Sequence, residues 1–256
     1  MGCSRILTLS LIVVLGLKHG VVSAEPLRVV TSDFPPYSML EHGSVSGLST
    51  NVVREVLERA GVETRDVEVY PWARAFTMAR KLDSILIYSI AMSDERQPLF
   101  QWVGPIAPYN VDLYKLRSRE DIQVKTLDDA KAYRVGGEFQ DIKQAFLLER
   151  GFEIGRNLDL APRAEINVRK LFAGRIDLLP MSEYNLPYLL REEGFDPAQV
   201  EKVMNLEGVS YYLYLAFSLD VPEATVARAR QALNALREEG RLQTLWVEAL
   251  HQPPSP

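Results

Sequence analysis

The segment Ser89-Ile90-Ala91-Met92-Ser93-Asp94-Glu95-Arg96 places an arginine directly behind two acids, in a short turn that Ser93 can cap. Asp94 and Glu95 suit the positive end of such a turn, whereas a guanidinium opposes it. An arginine there calls for an anionic partner. That partner is either a ligand carboxylate held in a two-pronged fork or an acid of the protein itself, Asp94 and Glu95 being nearest in sequence. A second group is Asp33-Phe34-Pro35-Pro36-Tyr37, a stretch stiffened by two prolines that follows an apolar run. Ligands of α/β sheets bind beyond the carboxyl ends of strands, which is where this loop must lie. Asp33, Phe34 and Tyr37 are therefore candidate contacts, the aromatics either stacking on a ligand or covering the core. In Tyr70-Pro71-Trp72 the proline marks a helix start, so Trp72 stands at the same mouth, as a contact or as packing under the loop.

Other chemistries lack their residues. The chain has no nucleophile elbow, no histidines at metal-binding spacing and no glycine-rich phosphate loop, so neither metal nor cofactor is expected. Beyond the N-terminal segment only His42 and His251 remain. A lyase would need a general acid or base, for which Glu183 and Asp141 are the candidates. With 29 basic and 34 acidic residues and no basic run, nucleic acid is not an expected partner.

The elements that must position these residues begin after residue 24. Arg5, the apolar run Ile6 to Leu17 and the small residues Val22-Ser23-Ala24 form a signal peptide over residues 1–24. Lys18, His19 and Gly20 end the run too early for a membrane span, which needs about 20 apolar residues. Cys3 precedes the run, where it would not be lipidated, and it is the only cysteine, so an exported chain must rely on its core rather than on disulfides. From Leu27 onward, strand-length apolar runs alternate with amphipathic helical stretches, as in α/β folds with largely parallel sheets. The polar stretch Arg117 to Lys125 suggests a boundary. The chain then reads as a first lobe of residues 25–115 and 208–256 and a second of 116–207, with two crossings acting as a hinge. No internal sequence repeat is visible.

Asp33 to Tyr37, Tyr70 to Ala75, Ser89 to Pro98 with Pro105 and Tyr109, and Ala173-Gly174-Arg175-Ile176-Asp177 occur in an order that resembles the family 3 extracellular solute-binding proteins, the polar amino-acid receptors of ABC transporters. The resemblance spans nearly the whole chain after residue 24, and Ser93 to Arg96 is its most specific part. It implies a periplasmic-binding-protein-like fold of type II, two α/β lobes joined by two crossover strands. It also implies a monomeric periplasmic protein that closes on a small polar ligand for a membrane permease or membrane sensor. By the same resemblance Arg96 binds a ligand carboxylate and Ser89 lines the pocket. Two positions depart from the pattern. Ser182 stands where the family has an aspartate for the ligand's ammonium, and Gln140-Asp141 where it has a Gly-Thr pair. Gln140, Asp141, Ser182 and Glu183 are the candidate ligand contacts of the second lobe; alternatively Asp141 is the N-cap of a helix begun by Ile142, Ala145 and Phe146, and Ser182 a cap for the helix near Tyr184. The alternative function on this fold is a dehydratase-like or lyase-like enzyme.

Overall fold

The computed structural model describes residues 26–41 and 43–251, so the expected signal peptide over residues 1–24 and His42 lie outside the described residues. In chain order the elements are β1 (Leu27–Thr31), β2 (Met39–Glu41), β3 (Ser44–Ser46), α1 (Leu48–Ala60), β4 (Thr64–Val69), α2 (Trp72–Lys81) and β5 (Ile85–Ala91). Next come β6 (Gln101–Pro108), β7 (Val111–Leu116), β8 (Val135–Glu138), α3 (Ile142–Glu149), β9 (Leu158–Ala161), α4 (Ala164–Phe172) and β10 (Leu179–Ser182). The last are α5 (Leu186–Glu192), β11 (Val200–Asn205), β12 (Tyr212–Phe217), α6 (Glu223–Glu238) and α7 (Arg241–His251).

The first sheet runs β4-β1-β5-β12-β6, its first three strands parallel and β12 antiparallel to both neighbours. In the second, β10-β7-β11 is antiparallel, and the parallel pair β8-β9 is joined to it at Val135 and Leu178, where the Gly136 amide donates to the Leu178 carbonyl at 2.9 Å. Its order is thus β9-β8-β10-β7-β11. The two halves share one plan, although no sequence repeat betrays it. In each, an antiparallel strand comes from beyond a crossing: β12 returns after the second sheet is finished, and β7 enters before it has begun.

The crossings are Tyr109-Asn110 and the segment from Leu206 to Tyr211. The first lies earlier than residue 115: Val111–Leu116 pairs with β10 and β11 and belongs to the second sheet. Its apolar pattern fits either sheet, and the polar stretch after it is an excursion within the second lobe. Lys115 anchors that excursion by donating to the carbonyls of Arg119 and Ile122.

Burial explains the elements nearest the cleft. All seven residues of β5 are buried, as a central strand with layers on both faces requires. Helix α1 buries Val52, Val53, Val56 and Leu57 on one stripe, and each such side chain contributes about 1.5–3 kcal/mol. Its first amides have no side-chain cap. Instead Leu48 donates to the Pro36 carbonyl at 2.9 Å and Ser49 to that of Tyr37 at 2.8 Å. Gly47 permits this approach, with φ at 107°, because a Cβ there would lie 2.7 Å from the Pro36 oxygen.

Candidate functional site

A cavity of about 420 Å³ opens between the two lobes. The first lobe lines it with Asp33 and Phe34 after β1, Trp72 at the start of α2, and Ser89, Ala91 and Arg96 at and after the end of β5. These positions lie beyond the carboxyl ends of parallel strands, as the open-sheet rule requires.

Ser89 sits at an irregularity in the ladder. On β12, Tyr214 pairs with Ile90 and Leu215 with Tyr88, so Ser89 is skipped. Its φ is 59°, a left-handed conformation that costs a serine about 1–3 kcal/mol. The bulge turns Ser89 to the cavity. The residue is 4% exposed, yet its Oγ has no hydrogen-bond partner. A buried hydroxyl left unsatisfied beside a cavity has a hydrogen bond to offer to whatever occupies that cavity.

Arg96 is 6% exposed and stands over the rings of Trp72 and Phe76, 5.4 and 4.8 Å from their centroids. It donates from one terminal nitrogen to the Ala91 carbonyl at 3.0 Å and from the other to the Gln140 carbonyl at 2.8 Å. Neither Asp94 nor Glu95 pairs with it among the described residues, so the acids nearest in sequence are not its partners. Burial lowers its pKa, against the opposing fields of Asp141, Tyr109 and Glu95, and a guanidinium remains cationic through such a shift. Of its five N–H bonds, these two contacts use two.

The second lobe contributes the start of α3. Asp141 caps it, accepting from the Lys143 amide at 2.7 Å, as the sequence suggests. Its carboxylate also meets the Lys143 ammonium at 3.0 Å, and Glu138 meets the same ammonium at 3.4 Å. Burial works against the charged form of Lys143, but Asp141, Tyr109 and Glu138 outweigh it and hold its pKa well above the usual lysine range. Burial pushes the Glu138 carboxyl up, with Lys143 drawing it back. Lys143 escaped the sequence reading. The signal was there, since a cation in the first turn of a helix opposes the dipole just as Arg96 does.

Six of the ten anticipated residues meet in the cavity: Arg96, Ser89, Trp72, Asp33, Phe34 and Asp141. The other four hold the lobes together. Gln140, with φ at 60°, turns its carbonyl toward the first lobe, where Trp72 Nε1 donates to it at 3.0 Å alongside Arg96. Tyr37 is fully buried, because α1 captures the Pro36 and Tyr37 carbonyls and the ring turns inward against Phe34, 4.9 Å between centroids. Its hydroxyl donates to the Pro108 carbonyl at 2.9 Å and lies 3.1 Å from Ser182 Oγ. Ser182 also accepts from the Tyr184 amide at 3.3 Å, and α5 begins only at Leu186. Glu183 accepts from Asn110 Nδ2 at 2.6 Å, beside the first crossing.

Among the described residues no cluster of His, Cys, Asp and Glu could hold a metal, and no helix is long and apolar enough to cross a membrane.

Comparison with known proteins agrees with this architecture. No curated protein matches the chain. Among solved structures, a histidine kinase sensor domain with similarity to periplasmic binding proteins superposes with a TM-score of 0.78 at 20% identity, over 89% of this chain and 96% of that one. The arginine-, lysine-, histidine-binding protein ArtJ of Geobacillus stearothermophilus gives 0.74 at 16% identity, over 90% and 97%. An ancestral arginine-binding protein bound to arginine gives 0.73 at 15%, over 87% and 97%. At these identities the likeness is one of fold, the periplasmic-binding-protein-like type with two α/β lobes. The model of the bacterial extracellular solute-binding proteins, family 3, matches residues 27–248, and the chain belongs to that family.

Proposed function

We propose that this protein is exported to the periplasm and there captures, as a monomer, a small polar molecule bearing a carboxylate. It would pass that molecule unchanged to an ABC-type permease or present it to a membrane sensor. The observation that carries this reading is the pairing of Arg96, with N–H bonds beyond its two carbonyl contacts, and the unsatisfied Ser89 Oγ on one cavity wall. A carboxylate accepts from both at once.

The open form presents Arg96, Ser89 and Trp72 on the first lobe, residues 26–108 and 212–251. Rotation about the two crossings then brings up α3 and α5 of the second lobe. Closure proceeds only as far as the ligand prefers the closed state. An enzymatic reading has less support, because both candidate acid/base groups are engaged: Asp141 caps α3 beside Lys143, and Glu183 holds Asn110.

A thermal-shift screen of polar metabolites against the protein lacking residues 1–24 tests this. A ligand at 100 times its Kd should stabilise it by about 2.7 kcal/mol and be recovered chemically intact. Conversion that vanishes in Asp141→Asn or Glu183→Gln would bring the lyase forward instead.

A further inference from the structure

Asn185 leads into α5, a position where asparagine ordinarily accepts from the first amides of its own helix. Here its side chain caps nothing. Instead it reaches across to the first lobe, where Nδ2 donates to the Pro35 carbonyl at 2.6 Å. A carbonyl can only accept, so this bond fixes which end of the side-chain amide points where. Oδ1 is left as an acceptor, buried and without a hydrogen-bond partner among the described residues. Asn185 is 1% exposed and lines the cavity, as Ser89 does from the first lobe. The cavity thus has an orphaned acceptor on one lobe and an orphaned hydroxyl on the other. The acids around it are already engaged. Glu138 and Asp141 share Lys143, Glu165 lies 2.7 Å from Arg163, and Glu193 lies 2.8 Å from Arg169. Asp33 accepts from the Leu40 amide at 3.3 Å, and Glu192 is exposed to water. Ser182 Oγ is occupied by Tyr37 and the Tyr184 amide.

Resting on the reading of this cavity as a carboxylate site, we propose that Asn185 selects a ligand whose second polar group is an uncharged donor, a hydroxyl or an amide N–H. The carboxylate takes the remaining N–H bonds of Arg96 and the Ser89 hydroxyl, and the donor takes Asn185 Oδ1. One neutral oxygen satisfies one such donor. An ammonium would bring a full charge and three N–H bonds to that oxygen, and a buried charge with so little compensation costs more than the hydrogen bond returns. An acid without a second polar group would leave Oδ1 unsatisfied. The same amide couples recognition to closure. A ligand N–H or O–H at Oδ1 polarises the amide and strengthens the bond that Nδ2 makes across the cleft to Pro35. A ligand that fills Oδ1 therefore gains preference for the closed state, the quantity that sets closure.

The test is calorimetric titration of the protein lacking residues 1–24 with parallel sets of acids, each running from a parent to its hydroxy, N-acetyl and amino derivatives. The sets are propionate, lactate, N-acetylalanine and alanine; succinate, malate, N-acetylaspartate and aspartate; and hydrocinnamate, phenyllactate, N-acetylphenylalanine and phenylalanine. The tightest binder should be a hydroxy or N-acetyl acid, about tenfold or more ahead of its own parent and amino acid, the scale of one buried hydrogen bond. In Asn185→Ala its lead over the parent should vanish, a change of selectivity that loss of the Pro35 contact alone does not produce. Asn185→Asp keeps an acceptor and adds the charge, so it should move the preference to the amino acid. The comparison within the wild-type protein holds whether or not either variant folds. A parent or amino acid as the tightest binder overturns the inference, as does a lead that survives in Asn185→Ala, and in both cases the solute-binding reading stands. If none of the compounds binds, both fall.

Discussion

Tyr37 and Ser182, far apart in sequence and drawn from different lobes, place their hydroxyls 3.1 Å apart behind the cavity. The Tyr37 hydroxyl also donates to the Pro108 carbonyl at the first crossing, so one side chain ties the first-lobe loop, the hinge and the second lobe together. Tyr37→Phe should therefore lower unfolding free energy by about 1–3 kcal/mol, the cost of leaving buried polar groups unsatisfied. Urea denaturation measures it. An unchanged midpoint would mean that the hydroxyl contributes nothing to the hinge.

Arg96 joins the lobes and faces the ligand, so its substitutions should separate two effects. Arg96→Lys keeps charge but loses the fork, and ligand binding should weaken by about 1.5–3 kcal/mol. Arg96→Ala should in addition destabilise the free protein by about 1–3 kcal/mol, since the Ala91 and Gln140 carbonyls lose their donor. Titration and melting curves on both variants decide this. Arg96→Ala binding at wild-type strength would move the anchor elsewhere.

Lys143→Met removes the cation shared by Asp141 and Glu138 and should cost about 3–5 kcal/mol at neutral pH. The deficit should shrink in acid. Burial already raises the Glu138 pKa, so in the variant the folded state binds a proton more tightly than the unfolded chain does. Stability from that proton is complete below the unfolded value and is lost as pH rises through the folded one. Melting curves at pH 5 and pH 8 on variant and wild type check the sign, and a deficit larger at pH 5 would refute it.

Arg28 grips Glu68 with two hydrogen bonds, of 2.8 and 2.9 Å, and chiefly through them the Glu68 carboxyl falls from 4.5 to about 2. A depressed carboxylate contributes stability above its unfolded pKa and loses it as pH falls through the folded one, here between about 4.5 and 2. Because the pair is partly solvated, Glu68→Gln should cost only about 1 kcal/mol at pH 7. The difference from wild type should close by pH 2 in acid titrations followed by circular dichroism. A gap that persists there would assign the effect to packing.

What could be read from the sequence was what local chemistry dictates. Pro71 marks the start of α2, which runs from Trp72 to Lys81, and Asp141 caps α3. Strand β6 is illegible in the sequence because Gly104, Pro105 and Pro108 break its pattern. It tolerates them as an edge strand paired only with β12, where an absent N–H goes unmissed. Tyr37 points inward because of a backbone contact that Gly47 allows, and no property of the tyrosine itself announces that.

The exchanged strands bear on the order in which the molecule is built. Every strand of the second sheet comes from residues 111–205, one uninterrupted stretch, whereas β5 and β6 must wait for Tyr212–Phe217 to fill the gap between them. Loop closure over that distance delays the reward of pairing, so the second lobe should nucleate while the first is still incomplete. Pulse-labelled hydrogen exchange during refolding would then show amides of β7, β10 and β11 protected before those of β5 and β12. The last strand to be synthesised in the first sheet is the one that finishes it, and a chain cut short before Tyr212 should keep a folded second half and an unfolded first.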